Sequence, residues 1–286
     1  MKTEYLNAIT DKMITLIDEV TKGENVNLWD KLPFSVPKNG FRNYNYTGLN
    51  WLHLNLTCMF RKLDQNVWFT FHEIQQMKAK LKKGAEGVKV LYFKKIQEVI
   101  NGVEETKSII KYYYVFNISD IDNLDDKYKP AEIVANEWQK FENAEEILTN
   151  SKVNIIYKAQ NKAYYSPTTD TITLPERSQF KGSEEFYNVA FHELIHATGA
   201  PHRLNRFNLS IQNKEDYAFE ELVAELGAVF LAQSLGFNKL LKPSAFYLKS
   251  WLKALKNDTS FIFKASLHAS KAYNYIANNV MNYQYI

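Results

Sequence analysis

His192, Glu193 and His196 fall in the order His-Glu-x-x-His within the stretch Phe191–Gly199. On a helix, side chains four residues apart share a face, so both imidazoles reach one metal ion. Glu193, on the neighbouring face, is then placed to act as base toward a water that the ion activates. The chemistry this pattern offers is metal-assisted hydrolysis. Two histidines and a glutamate also recur by chance on helices, so the surroundings matter. Ser183 is placed as an N-cap, Glu184 and Glu185 fill the first turn, and Gly199-Ala200-Pro201 ends the run.

Two residues compete to be the third ligand. His202 completes H-E-x-x-H-x-x-G-x-x-H, the spacing of a three-histidine zinc site. Glu221 lies on a second predicted helix, Tyr217–Ala228, where Glu221, Glu225 and Ala228 recur at three- and four-residue intervals. A carboxylate pair beside Ala224, Gly227 and Ala228 fits a helix packed closely on the metal helix. One Glu would then bind the ion while the other steadies an imidazole. Three-histidine sites also carry a methionine turn, and the only downstream methionine is Met281, in a helical-looking tail. Glu221 is favoured.

The elements that must carry these residues follow from pattern. Leu6, Ile9, Met13, Leu16, Ile17 and Val20 make an amphipathic N-terminal helix, expected to pack on its own domain. Trp68–Phe71, Val88–Phe93 and Tyr112–Asn117 read as strands, and His72–Met77 as a helix. Residues 120–130 turn acidic and rich in turn formers, which marks a domain boundary. Beyond it, Ala131–Leu148 reads as a helix and Val153–Tyr157 as a strand. Ala163–Pro167 and Asp170–Leu174 read as paired strands, an edge to which an extended peptide can add. Ala245–Met281 reads as helical throughout. The expected class is α+β: a mixed α/β domain over residues 1–125, then a mostly helical domain with a small antiparallel sheet over 126–286.

Composition narrows the function classes. Hydrophobic residues make up 45 % and aromatics 14 %, enough for a substantial core. No run of about 18 apolar residues exists, so no membrane partner is expected. Asp11, Asp18 and Glu19 interrupt what would be a signal peptide's apolar stretch, and Cys58 is the single cysteine, expected to be a buried thiol. A cytoplasmic protein is expected. The net charge of +3 is too small to imply nucleic-acid binding by itself. It is uneven, however: residues 61–111 hold 11 Lys/Arg against 6 Asp/Glu, and residues 112–150 hold 3 against 9. Within and before the basic part, Trp29, Tyr44, Tyr46 and Trp51 are interleaved with Arg42 and Asn50, and Lys82, Lys83 and Lys89 follow. Aromatic faces with amide, guanidinium and lysine partners suit unpaired bases and phosphates. An aromatic core under a long loop, with a solvated lysine face, is the alternative of equal weight.

Several short blocks then carry a resemblance. Pro37-Lys38-Asn39, Tyr46–Asn50, Lys83–Gly87, Val115-Phe116-Asn117, Ala163–Pro167, His192–Gly199 with Arg203–Arg206, Glu220–Leu226 and Trp251–Asp258 occur in an order that resembles the ArdC-type antirestriction proteins of plasmids and mobile elements. The chain is also similar to the N-terminal part of the plasmid primase TraC. The resemblance implies an N-terminal domain that binds single-stranded DNA, a C-terminal zincin-like metallopeptidase domain, and protection of incoming mobile DNA. Thr47 and His202 depart from the residues usual in that family. On this reading His192, His196 and Glu221 hold Zn²⁺ or another divalent metal, Glu193 is the catalytic base, and the partners are single-stranded DNA and an unknown protein substrate. Tyr165 is a candidate for assisting the oxyanion. A binding protein with a metal-bearing scaffold and no turnover is the main alternative; a stand-alone peptidase whose first domain binds protein is another.

Overall fold

The computed structural model of the chain describes residues 2–22, 36–100, 103–128, 137–206, 214–237 and 245–280. Trp29 and Met281 lie outside the described residues. Contacts divide the chain into two units, Pro37–Glu132 and a second formed by Met1–Val36 with Ile133–Ile286.

The first helix, α1 (Lys2–Lys22), buries Ile9, Met13 and Ile17 completely, the stripe its four-residue spacing dictates. It packs on the helix Ala245–Asn257, and Thr10 Oγ1 donates to the Thr259 carbonyl at 3.1 Å. The expectation that it packs within a 1–125 domain is thus corrected. Its apolar stripe finds its complement at the other end of the chain.

The unit Pro37–Glu132 contains β1 (Lys38–Asn39), α2 (Gly48–Arg61), β2 (Val67–Thr70), α3 (Phe71–Gln76), β3 (Lys80–Leu81), β4 (Val88–Ile100), β5 (Val103–Asn117) and β6 (Ile121–Asp122). The main sheet has the order β1-β2-β5-β4, and β3 pairs with β6. The expected strands at Val88 and Tyr112 are parts of one long antiparallel hairpin, in register from Val88↔Val115 to Ile100↔Val103. On one face of the sheet, Leu54 and Cys58 of α2 pack with Trp68, Val90 and Val115. On the other, Val67, Phe69, Ile74 and Ile121 form a second core. Thr70 and Glu73 exchange side-chain and backbone hydrogen bonds as a capping box, which turns the chain from β2 into α3. The Cys58 thiol is fully buried, and burial pushes its pKa up to about 12, so it stays a protonated, inert thiol as expected.

The second unit continues with α4 (Glu137–Asn150), β7 (Asn154–Lys158), β8 (Tyr164–Ser166), β9 (Thr171–Pro175), α5 (Ser183–Ala197), α6 (Lys214–Ser234), α7 (Ala245–Asn257) and α8 (Phe261–Val280). Its sheet has the order β7-β9-β8 and is mixed rather than antiparallel. The Pro167–Asp170 turn folds β8 back along one edge of β9, which leaves the other edge to β7 in parallel. The tail is two helices, not one. Asp258 interrupts it by accepting bonds from the Ser260 N–H and hydroxyl at 2.8 and 2.7 Å. No described helix is long and apolar enough to cross a membrane.

Candidate metal centre

The helix α5 starts after Gly182, so Ser183 is its first residue rather than its cap. It lies against α6, and Gly227 permits the approach: a Cβ there would sit 2.8 Å from Ile195 Cδ1. That close contact brings Glu220, Glu221 and Glu225, within two turns of α6, up to the two histidines. His192 Nε2 lies 3.2 Å from His196 Nε2 and 3.4 Å from Glu221 Oε2; His196 Nε2 lies 3.6 Å from Glu221 Oε1. Tetrahedral ligands on a zinc ion are about 3.3–3.5 Å apart, and octahedral ligands on a small divalent cation about 3 Å apart. The spacing therefore fits a divalent cation without selecting which. Among the described residues, His192, His196 and Glu221 are the one set of this kind whose ligand atoms all lie within 4.8 Å of one another.

Both imidazoles are held from behind. His192 Nδ1 lies 3.2 Å from Glu225 Oε2, and His196 Nδ1 lies 3.2 Å from Glu220 Oε1. At His196 the Glu220 carboxylate on Nδ1 fixes a proton there and turns Nε2 toward the site, whereas Glu225 lies at ion-pair distance from His192 Nδ1 without the alignment of a hydrogen bond. Burial disfavours a charged His192, but the Glu221 carboxylate, with Glu225 and the charge of Glu193, raises its pKa well above the ordinary value. Burial likewise opposes a charged Glu221, yet the hydrogen bond from His192 and the nearby imidazoles hold its carboxyl below the usual range.

Arg206 extends the arrangement one layer out. After α5 the chain folds back over the helix end: the Leu204 N–H bonds the Thr198 carbonyl and the Arg206 N–H bonds that of Gly199. Arg206 then donates to both Glu220 oxygens at 2.7 and 3.1 Å, to Thr198 Oγ1 at 2.7 Å and to the Ile195 carbonyl at 2.8 Å. Arg203 forms a bidentate pair with Asp170 at 2.7 and 2.8 Å, tying the β8–β9 turn to the same helix end. His202 is 60 % exposed on its side chain and faces Asp170 Oδ2 at 3.2 Å, outside the metal set. Tyr165 donates its hydroxyl to Asp170 at 2.8 Å, so that hydroxyl proton is engaged with the carboxylate. The tyrosine bonded to the Glu221 carboxylate is Tyr217, one turn earlier on α6. A cleft of about 260 Å³ opens over the site, lined by Tyr164, Tyr165, His192, Glu193, Tyr217 and Glu221.

Residues 142–268 match the zincin-like metallopeptidase family, and residues 3–116 match the N-terminal domain of the anti-restriction factor ArdC. The crystal structure of the antirestriction protein ArdC from plasmid R388 superposes with a TM-score of 0.80, at 31 % identity over 98 % of this chain and 99 % of that one. The chain belongs to the ArdC antirestriction family. A Mn(II)-bound structure of the R388 ArdC gives a TM-score of 0.79 over the same coverage. Two DNA primases TraC of Escherichia coli are 33 % and 30 % identical over 84 % of this chain, which spans only 17 % and 24 % of their lengths. The protein y4eC of Sinorhizobium fredii is 29 % identical over 94 % of this chain and 89 % of its own.

In the ArdC-like unit Pro37–Glu132, the residues expected at a DNA contact divide between buried and exposed positions. Trp51 and Tyr46 are 2 % and 3 % exposed, so neither offers a ring face to a base. Asn50 spends its amide on β4, donating to the Leu91 carbonyl at 2.6 Å and accepting its N–H at 2.8 Å. Arg42 pairs with the buried Glu73 at 2.9 Å while its own side chain stays 63 % exposed. Tyr44 is 38 % exposed, with its hydroxyl 3.0 Å from that of Tyr113. Lys82 bonds the Ser119 carbonyl at 2.9 Å, Lys83 is exposed, and Lys89 lies over the rings of Tyr112 and Tyr114. Glu220, Arg206, Tyr112 and Tyr114 are the residues the sequence reading did not single out.

Proposed function

We propose that this chain is an antirestriction factor in which the unit Pro37–Glu132 binds single-stranded DNA and the second unit is a zinc-dependent peptidase, acting in the cytoplasm to protect incoming mobile DNA. The observation that carries the peptidase half is the convergence of His192, His196 and Glu221 at 3.2–3.6 Å beneath a cleft that also holds Glu193.

A divalent cation held by these three side chains supplies Lewis-acid polarisation of a carbonyl and acidifies a water beside it. Glu193, 8 % exposed and facing the cleft, takes the proton of the attacking water and returns it to the departing amide nitrogen. Glu220 keeps the His196 ring in register by holding its Nδ1 proton, and the Glu225 carboxylate lies 3.2 Å behind His192 Nδ1. The strand β8 is an edge strand with Tyr164 and Tyr165 at the cleft, which supports docking of an extended peptide alongside it.

The DNA-binding half is supported by the family and by the basic balance of residues 61–111, 11 Lys/Arg against 6 Asp/Glu. One experiment addresses the catalytic claim: the zinc-loaded protein is incubated with a library of peptides from a digested bacterial proteome, and new termini are read by mass spectrometry. Cleavage lost in Glu193→Gln is expected. No cleavage by the metal-loaded wild type would leave a DNA-binding protein with a metal-bearing scaffold.

A further inference from the structure

The hairpin β4–β5 buries one face and leaves the other open. Val88, Val90 and Val115 point into the core beneath α2. Their neighbours point the opposite way, as the period of two demands. The register sets Lys89 opposite Tyr114 and Leu91 opposite Tyr112, so these four side chains share the outer face. Tyr112 and Tyr114 are 46 % and 48 % exposed, with ring centroids 6.4 Å apart and planes at 89°. Lys89 Nζ lies 4.6 Å from the first ring and 5.8 Å from the second. Phe116, next on the same face, is packed against the second core, so the aromatic row runs out of the interior into the open. Gly87 lets the chain pass beneath it: a Cβ there would meet the Phe116 and Tyr114 rings at 3.1 and 3.2 Å.

The strand that carries Lys89 is fixed in place. Asn50 bonds the Leu91 backbone in both directions, and His53 Nδ1 lies 3.1 Å from the Lys89 carbonyl. Residues 87–92 and 111–117 contain no carboxylate, and of their two lysines Lys89 shares the face of Tyr112 and Tyr114 while Lys111, opposite Tyr92, alternates to the other face. Exposed ring faces with a lysine beside them, on strand segments that carry no carboxylate, match one chemistry well. Unpaired bases stack on the rings while Lys89 meets a phosphate. A duplex hides its base faces and cannot use such rings.

We propose that Tyr112 and Tyr114, with Lys89 between them, are the base-stacking platform for single-stranded DNA, in place of Tyr46, Asn50 and Trp51. This rests on the single-stranded-DNA reading of the same unit. Binding of a labelled oligodeoxythymidylate to the full chain is measured by fluorescence anisotropy across a salt series. Tyr112→Leu/Tyr114→Leu is expected to weaken binding about tenfold or more with the salt slope unchanged, since no charge is lost. Tyr112→Phe/Tyr114→Phe is expected to bind as the wild type does, because the ring faces remain. If the wild type binds and the leucine variant binds equally well, the platform is wrong while DNA binding stands. If the wild type shows no binding, the DNA reading fails and takes the platform with it. Photocrosslinking of the unsubstituted protein to an oligonucleotide carrying 5-iodouracil gives a readout independent of folding. Adducts at Tyr112 or Tyr114 are expected; adducts only elsewhere would overturn the assignment.

Discussion

Arg206 and Glu220 form a two-pronged ion pair at 2.7 and 3.1 Å, and the oxygen that takes the shorter bond also faces His196 Nδ1 at 3.2 Å. The two side chains are only 5 % and 8 % exposed. Burial disfavours the charged carboxyl, but His196 and Arg206 together hold it below the ordinary carboxylate range. A chain of contacts thus runs from the loop after α5 to a candidate ligand ring, and each member keeps the next in one orientation.

Removing Arg206 leaves Glu220 charged, buried and short of its main partner. Arg206→Ala is expected to lower metal affinity about 10- to 100-fold and to destabilise the fold by about 3–5 kcal/mol. Arg206→Lys keeps the charge but not the fork, so it is expected to fall between. Competition with a metal-sensitive dye, beside thermal melting, measures both quantities. Wild-type affinity in Arg206→Ala would show that the pair does not position the ring.

The contact between α5 and α6 depends on a missing methyl group at Gly227. In an open helix, Gly→Ala would stabilise by about 1 kcal/mol. Here the added Cβ meets three Ile195 side-chain carbons at 2.8–3.0 Å, and overpacking costs about 1–3 kcal/mol. Gly227→Ala is therefore expected to lower the melting temperature, with partial recovery in Gly227→Ala/Ile195→Val, where the Cδ1 carbon is gone. A melting temperature that rises in the single variant would contradict the close approach.

Asp170 provides a pH test. The Arg203 hydrogen bonds hold its carboxyl below the ordinary range despite some burial, and Tyr165 and the charges of Arg203 and His202 add to the effect. A carboxyl whose folded pKa is depressed adds stability that is full above its unfolded value, about 3.9, and is lost as pH falls through the folded value. Asp170→Asn removes that charge and tolerates the positive φ of 47° at this position. Its melting temperature is expected to lie below wild type at neutral pH, with the gap closing below about pH 4. A constant gap across that range would mean the charge contributes nothing.

The parts of the fold that could be read in the sequence are those fixed by local spacing. His192, Glu193 and His196 lie within one helical turn and a half, and Glu221 and Glu225 share a face of the next helix, so their juxtaposition needs only two helices in contact. Arg206 and Glu220 are fourteen residues apart in the chain, and no short-range pattern announces their pairing. Periodicity located the strand at Val88 but not its partner's full length, because a two-stranded ribbon continues on backbone pairing alone. The aromatic clusters failed in an instructive way. Tyr46 and Trp51 have the composition of a stacking surface, yet α2 buries nearly every residue from Gly48 to Cys58. Tyr112 and Tyr114 lie in the apolar-looking run Tyr112–Phe116, and only their alternation with Tyr113 and Val115 marks them as the open face. Packing of α1 on α7 joins the two ends of the chain and leaves no local trace.

The most direct test is the metal content of the purified chain, measured by elemental analysis beside His192→Ala and Glu221→Ala. About one divalent ion per chain, lost in both variants while their melting profiles show folded protein, is the expected result. Metal retained in folded Glu221→Ala, or none taken up by the wild type in excess zinc or manganese, would contradict the account.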